Sequence, residues 1–310
     1  MNKTSKIYVA GHRGLVGSAI TRALTERGFK NLILKGREEL ELLEQQDVAN
    51  FFRTEKPEYV FLAAAKVGGI MANNTHPSEF IYENLMVQAN VLEHARKNGV
   101  KKLLFLGSSC IYPRLAPQPI KEEYLLSGDL EPTNKAYAVA KIAGIVTCQS
   151  YNKEYGMNFI SVMPTNMYGF NDNFDLENSH VLPALIRKFH DSKTAGKKSV
   201  TLWGTGSARR EFLNVDDFAD AALFLMEQYN SGEILNVGTG TDITIKNLAE
   251  IVKKIVEFEG EILWDSTKPD GVPRKLLDVS KINSLGWKHK IELEEGIRST
   301  YKWYLQKIGH

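Results

Sequence analysis

The chain holds only two cysteines, Cys110 and Cys148, in 310 residues. So few exclude a disulfide framework and point to a reducing compartment, the cytoplasm. No apolar run approaches the ~20 residues that span a bilayer. The first residues, Met1–Ser5, show no apolar signal core, so no membrane partner is expected. A charge excess is missing too: 39 Lys and Arg face 37 Asp and Glu, a net charge of +2. That is too little to attract a nucleic acid by bulk electrostatics. The seven histidines show no close ligand pairing, and no metal is implied. Neither an internal repeat nor a low-complexity linker interrupts the sequence.

What is present is ordinary globular composition, 43% hydrophobic and 25% charged, with an ordered first half. Short apolar runs at Lys6–Ala10, Asn31–Leu34, Tyr59–Leu62, Lys102–Leu106 and Asn158–Met163 read as strands. Between them, Leu15–Arg27, Val48–Thr54, Glu79–Lys97 and Ala136–Tyr155 read as helices. Asn98-Gly99 and Gly156 supply C-terminal caps for the last two. Continuously apolar strands alternating with helices predict an α/β fold, a doubly wound parallel sheet covered on both faces. Ligands of such sheets bind at the carboxyl ends of the strands. The second half is less regular, with helices expected at Asp216–Gln228, Ile245–Phe258 and Leu293–Gln306 and a strand at Ile234–Val237. We expect a cofactor domain of 1–165 plus 212–242, and a smaller C-terminal α/β substrate lobe of 166–211 plus 243–310.

Directly after the first strand comes Gly11-His12-Arg13-Gly14-Leu15-Val16-Gly17. Glycines at this spacing allow a tight turn and let backbone approach a pyrophosphate, which the following helix N-terminus favours. The spacing differs from GxGxxG and suits short-chain dehydrogenases/reductases. An NAD site usually carries an acidic residue after the second strand, for the ribose 2′-hydroxyl. Here Lys35-Gly36-Arg37 follows instead, and no carboxylate stands at its tip. Arg13 and Arg37 around a 2′-phosphate predict NADP, NADPH being the reducing form, since guanidinium forks pair well with phosphate.

Further on, Ser108 follows the fourth strand, and Tyr137 and Lys141 fall four residues apart, on one helix face. Hydride addition to a carbonyl leaves an oxygen that must gain a proton. A phenol with a free pKa of ~10 is reluctant at neutral pH, and a neighbouring ammonium favours its phenolate. A serine hydroxyl suits the carbonyl oxygen. A Tyr-Lys pair alone is weak evidence, but in this order with the glycine loop and the serine it becomes strong.

With these motifs the chain resembles the extended short-chain dehydrogenases/reductases, Rossmann-fold enzymes that modify nucleotide sugars. Within them it is similar to the 3,5-epimerase/4-reductases of GDP-4-keto-6-deoxy-D-mannose. The likeness runs through GHRGLVGSAI at 11–20, AAAKVGGIMANN at 63–74, GSSCIYP at 107–113, EPTNKAYAVAKIAG at 131–144, SVMPTNMYG at 161–169, REFLNVDD at 210–217 and KPDGVPRKLLD at 268–278. It implies that NADP is held by the loop 11–17, by Arg37, by Leu106, Gly107 and Ser109, and by Pro164, Thr165, Asn166 and Met167. It also implies a homodimer through the helices near 79–98 and 136–155.

The resemblance further implies that Cys110 and His180 carry out epimerisation. The chemistry agrees: protons beside a ketone are acidified, and inversion needs one group on each face. A thiol (~8.5) and an imidazole (~6.5) titrate near neutrality. We expect Cys110 as base and His180 as acid, whereas Cys148, in mid-helix, reads as core. For the GDP-sugar substrate the resemblance points to Lys188, Trp203, Arg210, Asp270 and Lys275. Position 188 is commonly arginine in the family, and Arg187 beside it is a candidate substitute. The related dehydratases carry an Asp-Glu pair where this chain has Ser109-Cys110, and the 4-epimerases lack the Cys/His pair. The alternatives are a sister enzyme acting on another GDP-deoxy-sugar, such as the one leading to GDP-L-colitose, and a catalytically silent NADP-binding regulator.

Overall fold

Six apolar runs become the strands of one parallel sheet in the computed structural model, which describes residues 1–176, 179–268 and 270–309. In chain order the elements are β1 (Ile7–Ala10), α1 (Leu15–Glu26), β2 (Leu32–Ile33), α2 (Gln45–Glu55), β3 (Tyr59–Leu62), α3 (Ile70–Thr75), α4 (Pro77–Lys97), β4 (Lys102–Leu106), α5 (Lys135–Tyr155) and β5 (Phe159–Pro164). There follow β6 (Asn166–Tyr168), α6 (Val181–Thr194), β7 (Ser199–Trp203), β8 (Arg209–Asn214), α7 (Val215–Gln228) and β9 (Leu235–Val237). The sheet runs β2-β1-β3-β4-β5-β9, every pair parallel. Its strands β1, β4 and β5 are buried along their whole length. Helices α2, α4 and α5 pack together in one layer and α1 with α7 in another, which is why the strands are apolar on both faces.

The remaining elements are β10 (Asp242–Thr244), α8 (Ile245–Val256), β11 (Glu261–Asp265), β12 (Arg274–Lys275), α9 (Ser280–Ser284) and α10 (Leu293–Ile308). β8 is flanked by β10, antiparallel, and β12, parallel, and also pairs with β6, while β7 pairs with β11. These elements enclose a second apolar core that includes Tyr168, Phe189, Leu248, Val252 and Ile297. The stretch containing Leu277, Val279, Ile282 and Trp287 packs into the first core.

Several boundaries differ from the sequence reading. α4 starts at Pro77 rather than Glu79, because proline is tolerated in a first helical turn. α8 ends at Val256 rather than Phe258, since Glu257 turns left-handed at φ 60. The short α3 follows Gly68-Gly69, a signal for a turn rather than for a helix. Among the described residues no helix is long and apolar enough to cross a membrane.

Candidate active site

At the end of β1 the chain turns through Gly11, whose φ of +80 disfavours any side chain; a Cβ there would press on the backbone of Ala64. A Cβ on Gly17 would overlap the Gly11 carbonyl, so only glycine lets α1 sit this close to the loop. Gly14 is different: a Cβ on it would meet only the Gly11 carbonyl, at 3.5 Å, and its other side is open. Gly14 is also the N-cap of α1, with no side-chain cap and no acidic residue in the first turn. The free N–H groups and the helix dipole therefore face an open cradle, which fits a pyrophosphate. His12, Leu15 and Val16 are half-buried along it.

The arginines beside this cradle are paired. Arg13 Nη1 lies 2.6 Å from Glu38 Oε1, and Arg37 Nε lies 2.5 Å from Glu41 Oε2. Glu39 accepts from the backbone of Gly36 at 2.9 Å and from Lys35 at 3.3 Å. This corrects the reading that no carboxylate stands at the tip of the second strand. Because β2 stops at Ile33, the following residues turn and bring Glu38 and Glu39 back to the tip. Exposed ion pairs of this kind are worth about 0–1 kcal/mol, so an incoming phosphate meets weak competition for Arg13.

The opposite rim comes from the ends of β4 and β5. The N–H of Gly107 donates to Val162 at 2.9 Å, and a Cβ on Gly107 would overlap the Met163 sulfur. Leu106 and Ser109 are buried on either side. After Pro164, the N–H of Thr165 donates to Val237 at 3.0 Å, and Asn166 Nδ2 donates to the Glu211 carbonyl at 2.8 Å. Met167 packs against the main core. Glu211 is a second residue, after Glu38, that sequence reasoning missed. Its carboxylate is fully buried and accepts from Thr239 at 2.6 Å, Gly240 at 2.7 Å and Leu277 at 3.0 Å. It ties the segments after β9 and β12 together, and a charged residue beside the apolar Phe-Leu of β8 was the signal for it.

The reactive groups converge on the turn after β4. Ser108 Oγ accepts from the Cys110 N–H at 3.1 Å and stands close enough to Tyr137 to favour its phenolate. Tyr137 sits in the first turn of α5, with Lys141 one turn along. Lys141 Nζ donates to the Leu106 carbonyl at 2.8 Å and lies 5.9 Å from the centre of the Tyr137 ring. Burial lowers Lys141 to about 8. Burial, then the charge of Cys110, push the Tyr137 phenol above its usual range, while Ser108 draws it back. In this state the phenol keeps its proton, and the lysine leans on the end of β4 rather than pulling the phenol down.

Cys110 is half-buried, and its Sγ lies 3.2 Å from Lys275 Nζ. Burial would raise its pKa, but Lys275, Ser108 and Arg210 outweigh burial and hold the thiol below its usual value. Cys148 shows the opposite, pushed up by burial to about 12. His180 stands at the N-cap of α6 and is exposed. Desolvation among its neighbours, then the Lys275 charge, lower it, so the imidazole is neutral at pH 7. Lys275 is thus the shared neighbour of the thiol and the imidazole.

A second group of cations gathers around an exposed aromatic, Trp203. Lys188 Nζ lies 5.3 Å and Lys268 Nζ 5.6 Å from the ring of Trp203, which is 51% exposed. Asp270 accepts from the Thr205 N–H and hydroxyl, both at 2.7 Å, and its carbonyl faces Arg210 Nη2 at 3.5 Å. Its carboxylate straps the loop after β7 rather than standing open. Arg187 does not stand in for Lys188: it pairs with Asp191 at 3.4 Å and bonds the Phe174 carbonyl at 3.1 Å. It faces the cavity lined by Phe174, Tyr304 and Lys307, because neighbours on a helix point about 100° apart.

A glycine cradle on a parallel sheet, with a Ser-Tyr-Lys centre at the strand ends, defines a nucleotide-cofactor enzyme of the short-chain type. Residues 7–238 match the NAD dependent epimerase/dehydratase family, and the chain belongs to it. It is 61% identical over 307 residues to GDP-L-fucose synthase 1 of Arabidopsis thaliana, covering 99% of this chain and 95% of that one. It is 52% identical to the GDP-L-fucose synthase of Escherichia coli K12, covering 97% of each. Among solved structures, a GDP-6-OMe-4-keto-L-xylo-heptose reductase from C. jejuni superposes with a TM-score of 0.94 at 45% identity, covering 99% of both chains. A GDP-L-fucose synthetase from Naegleria fowleri bound to NADP superposes at 0.92 with 28% identity, covering 100% of this chain and 96% of that one.

Proposed function

We propose that this chain inverts C3 and C5 of GDP-4-keto-6-deoxy-D-mannose and then reduces the C4 ketone with NADPH, giving GDP-L-fucose. The observation that carries the reading is the contact of Cys110 with Lys275, near enough to Tyr137 that the Cys110 charge raises its phenol. The relatives at 52–61% identity over nearly the whole chain support the substrate and product, and the NADP-bound neighbour supports the cofactor.

Cys110 as thiolate takes the proton beside the ketone, whose oxygen Ser108 and Tyr137 polarise. His180 returns a proton on the other face. As it is neutral at pH 7, only a minority of molecules hold the thiolate and the imidazolium together. NADPH, when bound, supplies the hydride to C4. Tyr137 gives the developing alkoxide its proton, Ser108 holds that oxygen, and Lys141 fixes the end of β4 and would bond the cofactor ribose. Gly11 to Gly17, Arg13 and Arg37 would hold the pyrophosphate and the 2′-phosphate. Leu106, Gly107, Ser109 and residues 164–167 would line the nicotinamide half. Lys188, Trp203 and Arg210 would take the GDP portion, with cations for the diphosphate and the indole for a ring face.

We assign residues 1–165 plus 212–242 to the cofactor domain and 166–211 plus 243–310 to the substrate lobe, with 277–287 anchored in the first core. The pair is a homodimer in this reading. Exposed Tyr82 on α4 and Val139, Val146 and Tyr155 on α5 support an interface of helices between two copies, and sedimentation equilibrium tests it. Two free thiols, one of them reactive, suit the cytoplasm.

A second reading keeps the reduction on a sister GDP-ketosugar, favoured by the 0.94 superposition on the heptose reductase. Oxidation of NADPH and NADH, each with GDP-4-keto-6-deoxy-mannose, separates the two. Turnover preferring NADPH supports the main reading; no turnover with this substrate, but turnover with a GDP-ketoheptose, overturns it.

A further inference from the structure

β12 pairs in parallel with β8 so that Lys275 stands opposite Arg210. Directly paired residues of neighbouring strands project from the same face of a sheet, so the register sets two cations side by side. Like charges so placed repel unless an anion lies between them. Arg210 has neighbours of its own, the carbonyls of Arg209 at 2.8 Å and Asp270 at 3.5 Å. Lys275 Nζ instead points at Cys110 Sγ, 3.2 Å away. The thiol is delivered from another part of the fold, the turn after β4, where the bond from the Cys110 N–H to Ser108 Oγ fixes the backbone.

We propose that Lys275 is a positioning residue for epimerisation, whose ammonium holds Cys110 as a thiolate, aimed and ready before the sugar nucleotide binds. The inference rests on the reading of Cys110 as the epimerisation base. It gives Lys275 a task in the substrate-free site, distinct from contact with a diphosphate. The groups that face the sulfur are Lys275 on β12, Arg210 on β8, Ser108 beside it and Tyr137 on α5, with His180 sharing the Lys275 charge. Of these, only Lys275 and Arg210 are cationic at neutral pH, and Lys275 is the one in direct contact. Desolvation, then the same Lys275 charge, lowers His180, so the imidazolium that returns the proton is the minority form at neutral pH.

The test is the pH dependence of Cys110 alkylation by iodoacetamide, on NADP-loaded protein with no sugar nucleotide. Cys110→Ser gives the blank, because Cys148 is fully buried. The native midpoint is expected below the ~8.5 of a free thiol. In Lys275→Met and Lys275→Gln it rises by about one pH unit or more, and Lys275→Arg keeps most of the native value. The deuterium-exchange rate at C3 and C5 then moves its rising limb by the same amount, while KM for NADPH is unchanged. An unmoved midpoint in either neutral variant that still binds NADPH overturns the proposal. Should neither variant fold, thiolate absorbance near 240 nm decides on the native chain: a difference from Cys110→Ser that titrates at or above ~8.5 overturns it as well. Because the thiol titration uses no substrate, its outcome is independent of whether GDP-4-keto-6-deoxy-mannose is turned over.

Discussion

The two cysteines occupy regions that teach opposite lessons about burial. Cys148 lies inside α5 against the sheet, fully buried, and its thiol is pushed up to about 12. Cys110 lies in the short turn after β4, and a lysine from β12 and an arginine from β8, with Ser108, turn the same desolvation into a net lowering. Desolvation alone makes an inert core residue; desolvation with a fixed counter-charge makes a reactive one.

Exchanging the fates of these two residues gives the largest expected effects. Cys110→Ser should lose epimerisation by about a hundredfold or more, read as the loss of deuterium exchange at C3 and C5, with NADPH binding intact. Cys148→Ser should leave exchange and turnover unchanged and cost about 1–3 kcal/mol for a buried hydroxyl, seen as a lower denaturant midpoint with the same slope. Equal loss of chemistry in both variants would erase the contrast. Tyr137→Phe should cut ketone reduction by about 10²- to 10⁴-fold in a single-turnover NADPH assay.

A smaller effect concerns Lys141, the other cation of the site, lowered by burial to about 8 where the unfolded lysine titrates at 10.5. Between those values the unfolded chain binds the extra proton, so stability conferred through this group rises with pH across the window. Denaturant unfolding of the native chain and of Lys141→Met at pH 7.5 and 10 should show the native chain gaining stability relative to the variant at the higher pH. A constant difference would mean that the ammonium is not destabilised by its surroundings.

The cofactor end was far more legible in the sequence than the substrate end. Gly11, Gly14 and Gly17 act through one turn, and Tyr137 and Lys141 through one helix face, so spacing along the chain reports their geometry. The pairing of Lys275 with Cys110 depends on the register of β12 on β8 and on the approach of the turn after β4, which no local pattern encodes. Glu211 escaped for the same reason: its three backbone donors come from distant segments. Glu38 was missed because β2 ends early, letting the chain fold back on Arg13. The smallest expected effect follows from that exposed pair. Glu38→Gln should lower KM for NADPH by no more than about fivefold at low salt, with the gain fading as salt is raised.

That one cleft performs both inversion and reduction is tested most directly by running the reaction with NADPH in D2O and reading the product by NMR. Deuterium at both C3 and C5, together with hydrogen from the cofactor at C4, is the expected result. A C4-reduced product that carries no deuterium at C3 and C5 would contradict the account and leave a reductase alone.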